Sequence, residues 1–274
     1  MRRRTLLSLP ALGSLAWLWA ACAPSPEEVP PVPEGASDPQ RVTYGSDPSQ
    51  FAELGLPAGT PRGVAVVVHG GFWRAEYGIE YAQPLVPSLL AAGWATWAVE
   101  YRRVGSGPGG GGGVPETLDD LEVAMQRLAE EDIGGPVVAI GHSAGGHLAT
   151  WLASRRDLPQ PLTHVVSQAG VLDLVAAHDA GLGGGAVEAF LGRPPSAGDV
   201  DVDPVQQVPL EVPVWCVHGT GDDIVPLSQS ESYVAAATAA GATAELVEVE
   251  GDHFAVVDPG SDAWARTLEI LDSI

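Results

Sequence analysis

The run Val64-Ala65-Val66-Val67-Val68 constrains the fold more than any other stretch of this sequence. Its apolar residues are consecutive, mostly β-branched, and too few to make an amphipathic helix, and they show no alternation between a wet and a dry face. A run of this kind is stable as a strand covered on both sides, the environment of a parallel sheet held between helices. Comparable runs follow, so strands are predicted at 95–99, 137–140, 164–167, 214–217 and 246–249. Helical patterns separate them at 81–92, 117–131, 144–154, 228–240 and 263–271. Two shorter runs, at 42–44 and 51–56, read as antiparallel edge strands ahead of the first buried one. The expectation is an α/β domain: a mostly parallel eight-stranded sheet with right-handed crossovers and helices on both faces. Functional side chains in such a domain gather beyond the carboxyl ends of the strands.

One loop end after another in this pattern carries chemistry. Ser143 stands in Gly141-His142-Ser143-Ala144-Gly145, directly after a predicted strand and before a predicted helix. A serine hydroxyl is a weak nucleophile until a base removes its proton and hydrogen-bond donors meet the oxyanion that forms. Gly141 and Gly145 leave room for the tight turn that lifts such a side chain out of the sheet. His253, in Gly251-Asp252-His253-Phe254, follows the last strand and precedes the last helix, which suits a general base. The acid that orients it falls in His218-Gly219-Thr220-Gly221-Asp222-Asp223-Ile224-Val225-Pro226. Asp222 is the first choice, Asp223 the nearest alternative and Asp173 the third. Serine, aspartate and histidine then occur in the chain order that a strand-turn-helix nucleophile requires.

The segment His69-Gly70-Gly71-Phe72-Trp73 follows the first buried strand. The backbone N–H groups of Gly71 and Phe72, together with that of Ala144, are the candidate oxyanion hole. Trp73 and Tyr101, beside Phe72, are candidate walls of an apolar substrate pocket. Arg74, Arg102 and Arg103 are available either to a substrate carboxylate or to neighbouring Asp and Glu. The remaining histidines form no metal-binding spacing such as H-E-x-x-H, so neither a catalytic metal nor a cofactor is expected.

From about Arg41 onward the chain resembles α/β-hydrolases of the small esterase, dienelactone hydrolase and prolyl oligopeptidase group, above all kynurenine formamidase-like enzymes. His69-Gly70-Gly71-Phe72-Trp73 is similar to their H-G-G-x-W, and Gly141 to Leu148 to their nucleophile turn; the loops that end at Pro226 and hold His253 also match. The resemblance implies an α/β-hydrolase fold acting through an acyl-enzyme on a small-molecule ester or amide. Esters of small or medium acyl groups are the leading expectation. An N-formyl amide hydrolase or small peptidase is the alternative, and a catalytically dead binding protein the non-enzymatic one. Between Gly170 and Val212 the chain has room for a small partial cap, including a short helix at 186–191.

Composition removes other classes. The chain contains no lysine, so neither a Schiff-base lysine nor a Walker A phosphate loop is available, and Gly105 to Gly113 reads as a mobile loop. A formal net charge of −22 opposes nucleic-acid binding. Arg2, Arg3 and Arg4 precede an apolar run from Leu6 to Ala21, the layout of an export signal over 1–22. Cys22 follows Trp19-Ala20-Ala21 in a pattern resembling a bacterial lipoprotein signal, with cleavage after Ala23 as the alternative. Residues 23–39 are Pro-rich and acidic and read as a tether, leaving 40–274 as the folded domain. An exported, membrane-anchored protein facing the periplasm or cell exterior is expected. Cys216 is the single cysteine of that domain, so it forms no internal disulfide.

Overall fold

The computed structural model describes residues 30–274; the expected leader at 1–22, with Cys22, and the first part of the expected tether, 23–29, lie outside the described residues. Eight strands form one sheet: β1 (Gln40–Thr43), β2 (Phe51–Gly55), β3 (Val64–Val68), β4 (Ala95–Glu100), β5 (Val137–His142), β6 (His164–Gln168), β7 (Val214–Gly219) and β8 (Ala244–Val249). Their spatial order is β1-β2-β4-β3-β5-β6-β7-β8. The β1–β2 and β2–β4 pairs are antiparallel and every other pair is parallel. This is the α/β-hydrolase arrangement expected from the sequence.

All of β3 is buried, and its residues divide between two apolar layers. Val64, Val66 and Val68 face one layer, built with Leu121, Met125 and Leu128 of α2 (Glu116–Leu128) and Leu148 and Leu152 of α3 (Ala144–Leu152). Ala65 and Val67 face the other, built with Leu89 and Leu90 of α1 (Val86–Ala91) and Trp264 and Leu271 of α7 (Asp262–Asp272). Each such aliphatic side chain contributes about 1.5–3 kcal/mol by leaving water, which fixes both the sheet and its helical covers.

Several local expectations change. The helix predicted at 81–92 is split into 3-10 turns at Ile79–Tyr81 and Gln83–Leu85 before α1 begins. Pro84 and Pro87 have no N–H to give an α-helical ladder, so the chain tightens before it can propagate. An unpredicted helix, α4 (Leu174–Asp179), starts where the Asp173 side chain accepts a hydrogen bond from Ala176 N. The described end of the expected tether is docked: Leu56 N donates to Ser37 Oγ, Ser37 N donates to Leu56 O, and Val32 and Ala36 pack on the core. The glycine-rich loop folds back on itself, with Gly112 N on Arg103 O and Arg103 N on Gly109 O. Helices α5 (Ala186–Leu191) and α6 (Ser228–Ala239) complete the set. Among the described residues, no helix is long and apolar enough to cross a membrane.

Candidate active site

Ser143 sits in the turn between β5 and α3 with φ +56° and ψ −119°, a conformation that costs an L-residue about 1–3 kcal/mol. Neighbouring contacts hold it there. Its N–H donates to Gln168 O at 2.9 Å, and its carbonyl accepts from Gly146 N at 2.9 Å and from His147 N at 3.2 Å. The turn has no room for side chains at its glycines: a Cβ on Gly145 would lie 2.1 Å from Val68 O, and one on Gly141 would lie 2.1 Å from Gly145 O. Ala144 opens α3, so its N–H has no acceptor within the helix.

The loop after β8 brings His253 to the same end of the sheet, where it is 3 % exposed. Its Nδ1 lies 2.7 Å from Asp222 Oδ2, the geometry of an Nδ1–H donor that leaves Nε2 with its lone pair. Asp222 Oδ1 accepts from Ile224 N at 2.9 Å and Val225 N at 2.8 Å, and Oδ2 lies 3.2 Å from His218 Nε2. Burial pushes the Asp222 carboxyl upward, but the hydrogen bonds from His218 and His253 outweigh it and hold the group below the usual carboxylate range. The structure therefore joins Asp222 to His253. Asp223 stands beside it on the cavity wall, and Asp173 caps α4.

His142, next to the serine, is fixed as a neutral ring. Burial first, and the neighbouring His253 second, push it down to about 3. In that form its Nε2–H donates to the His253 carbonyl at 2.9 Å, and the two rings sit 4.4 Å apart. This buried contact holds the histidine loop onto the serine turn, and no sequence pattern singles it out.

Gly71, Phe72 and Trp73 take positive φ values of +105°, +54° and +55°, so the loop after β3 turns left-handed three times in succession. Gly71, Phe72, His142, Ser143 and His253 all line one cavity of about 470 Å³, within the range of small-molecule sites. Its apolar wall comes from Phe72, Tyr77, Tyr81, Ile224 and Phe254, and Asp223 and Asp252 complete it.

Trp73 and Tyr101 do not line this cavity, which corrects their assignment as pocket walls. Both are fully buried. Trp73 turns into the core, stacked on Phe190 at 4.7 Å and edge-on to His147 at 5.3 Å. Tyr101 stacks on His69 at 4.3 Å and donates its hydroxyl to the His69 carbonyl at 2.7 Å. A substrate carboxylate is not met by the arginines considered for it. Arg102 clasps Asp120, Arg103 pairs with Glu100, and Arg74 donates to the Gly183 carbonyl. Tyr77 and Tyr81 replace the expected walls. Their signal was the sequence Tyr77-Gly78-Ile79-Glu80-Tyr81 immediately after the glycine loop, which Pro84 keeps out of the following helix. Among the described residues, no group of three or more His, Cys, Asp or Glu is placed to hold a metal ion.

A family model described as BD-FAE matches residues 54–236, about two-thirds of the chain. The esterase LipC of Mycobacterium tuberculosis is 25 % identical over 244 residues, an alignment covering 77 % of this chain and 59 % of LipC. Across the two curated relatives matched over most of this chain, it spans 59 % and 61 % of their lengths. Among solved structures, a truncated carbohydrate esterase from gut microbiota superposes with a TM-score of 0.74 at 20 % identity, covering 89 % of this chain and 98 % of that one. Esterase B of Lactobacillus rhamnosis, solved with a tributyrin phosphonate inhibitor, has a TM-score of 0.74 at 20 % identity and covers 89 % and 86 % of the two chains. These structural likenesses establish the shared fold.

Proposed function

Because the chain belongs to the BD-FAE family, we propose that it is a serine hydrolase that cleaves carboxylic esters of small or medium acyl groups. One observation carries the reading: Ser143, His253 and the Gly71–Phe72 backbone face a single cavity, and His253 is bonded through Nδ1 to the buried Asp222. Ser143 Oγ attacks the ester carbonyl as His253 Nε2 takes its proton. The oxyanion is met by the N–H groups of Ala144 and of Gly71 or Phe72. Collapse of the tetrahedral species expels the alcohol, which takes the proton back from His253. Water, deprotonated by the same nitrogen, then releases the acid from Ser143. Asp222 holds the imidazole in the required tautomer and stabilises its charged form. LipC and esterase B, both named as esterases, support the choice of esters over amides.

Turnover of 4-nitrophenyl butyrate and labelling by a fluorophosphonate probe test this reading. Ser143→Ala should abolish labelling and lower the rate by at least about 10³-fold. Equal rates in the parent and the variant would sink it.

We further infer export and lipid attachment at Cys22. The triple arginine, the apolar run and the Ala20-Ala21-Cys22 junction support this. Metabolic labelling with palmitate should mark the parent and not Cys22→Ala; an unlipidated mature chain that begins beyond Cys22 overturns it.

A further inference from the structure

The cavity has a charge pattern that the family assignment does not supply. Its lining includes two acidic residues, Asp223 and Asp252, both exposed. Asp252 is held in place, since its Oδ1 accepts from Phe254 N at 2.9 Å and Ala255 N at 3.1 Å. No arginine lines the cavity, and the chain has no lysine. Neither Asp223 nor Asp252 forms an ion pair among the described residues. Arg102 and Arg103 are taken up by Asp120 and Glu100. Arg74 lies over the Phe72 ring with its guanidinium carbon 5.6 Å from the ring centre, and it is bound to the Gly183 carbonyl.

The aromatic walls Tyr77, Tyr81 and Phe254 bring no positive charge of their own, and aromatic surface is compatible with a cation. The guanidinium of Arg74 already lies over Phe72. We propose that this site selects its ester by charge. It favours substrates bearing a cationic group near the scissile bond, accepts neutral ones, and rejects those bearing a carboxylate, with Asp223 and Asp252 as the specificity-determining residues. The proposal rests on the ester-hydrolase reading given above. The two carboxylates act with the same sign on a substrate charge, so opposite substrate charges are separated by twice the effect either one feels.

Three 4-nitrophenyl esters of equal chain length test it, ending in trimethylammonium, methyl and carboxylate. The trimethylammonium group brings methyl surface as well as charge, so charge is isolated by how the ammonium-to-carboxylate kcat/KM ratio changes with salt and between the parent and the variant. At low ionic strength that ratio should be about tenfold or more, and it should shrink as salt is raised to a screening length below about 8 Å. In the double variant Asp223→Asn, Asp252→Asn the ratio should fall toward unity, and because it is taken within each protein, any loss common to all three esters cancels. A ratio within twofold in the parent, or an undiminished ratio in the double variant, overturns the proposal. Those outcomes are distinct from failure of the ester-hydrolase reading, in which no ester is turned over and Ser143 takes no fluorophosphonate.

Discussion

In the proposed mechanism Asp222 is the residue on which the chemistry turns, because its two oxygens have different partners. Oδ1 is saturated by the N–H groups of Ile224 and Val225, which orient the carboxylate, and Oδ2 faces His253 and His218. Asn at this position would keep the shape and lose the charge, and its amide would offer His253 either a donor or a weak acceptor. Asp222→Asn should therefore lower kcat for 4-nitrophenyl butyrate by about 10²–10⁴-fold, with a much smaller change in KM. Steady-state kinetics with a melting curve checks this; a loss in KM alone would remove Asp222 from the catalytic group. Ser143, Asp222 and His253 were all legible before the fold was known, because each follows a strand whose apolar run is plain in the sequence. Trp73 and Tyr101 were misread for a related reason. Adjacency to a motif says that a side chain is near the site; for Trp73 the left-handed φ values of its loop decide which way it faces, and for Tyr101 the contact with His69 does. His142 was legible only as a neighbour of the nucleophile, since its partner is a backbone carbonyl more than a hundred residues away.

At the scale of elements, the segment from the 3-10 turn Leu182–Gly184 through α5 braces the glycine loop that is the proposed oxyanion hole. Arg74 binds the Gly183 carbonyl, Phe190 stacks on Trp73, and Val114 N donates to Phe190 O. The sequence marked this region as a small cap; its role as a brace depends on contacts between residues far apart in the chain, which no local pattern encodes. Gly183 and Gly185 separate the brace from simple backbone effects. Both are left-handed, with φ +60° and +86°, so alanine strains either one to a similar degree. A Cβ at Gly183 would sit 2.4 Å from Phe72 Cδ1, whereas one at Gly185 meets nothing within 4 Å. Gly183→Ala should displace Phe72 and lower kcat/KM about 10- to 100-fold, since misplacement near 1 Å is enough for such a loss. Gly185→Ala should cost about 1 kcal/mol of stability and leave kcat/KM within twofold. Equal activity losses in the two variants would show that the segment acts through stability and not through the loop.

The molecule as a whole couples its stability to pH through histidines that the fold keeps neutral. His69, His142 and His147 are buried, and burial is the leading cause that pushes them down to about 3, 3 and 4. In the unfolded chain a histidine titrates near 6.5. Between about pH 6.5 and the folded values, the unfolded state therefore binds more protons, so stability is complete above 6.5 and is lost as the pH falls through that window. Asp222, held below the carboxylate range, adds a loss only once the pH passes below the unfolded carboxylate value near 4. A net charge of −22 works in the opposite direction, because acidification relieves self-repulsion. The two contributions separate in a variant that removes one titration and keeps the hydrogen bond. His147 lies on α3, away from the cavity, and its Nε2–H donates to the Val202 carbonyl at 2.8 Å. Glutamine can supply that donor without taking a proton. His147→Gln should lower the melting temperature at pH 7.5, where the native ring packs better against Trp73 and Phe190. Its further fall from pH 7.5 to pH 5 should be smaller than the parent's, because one of the three histidines that burial pushes down most strongly has ceased to titrate. Parallel melting curves for the two proteins across that range would instead place the acid sensitivity outside the buried histidines.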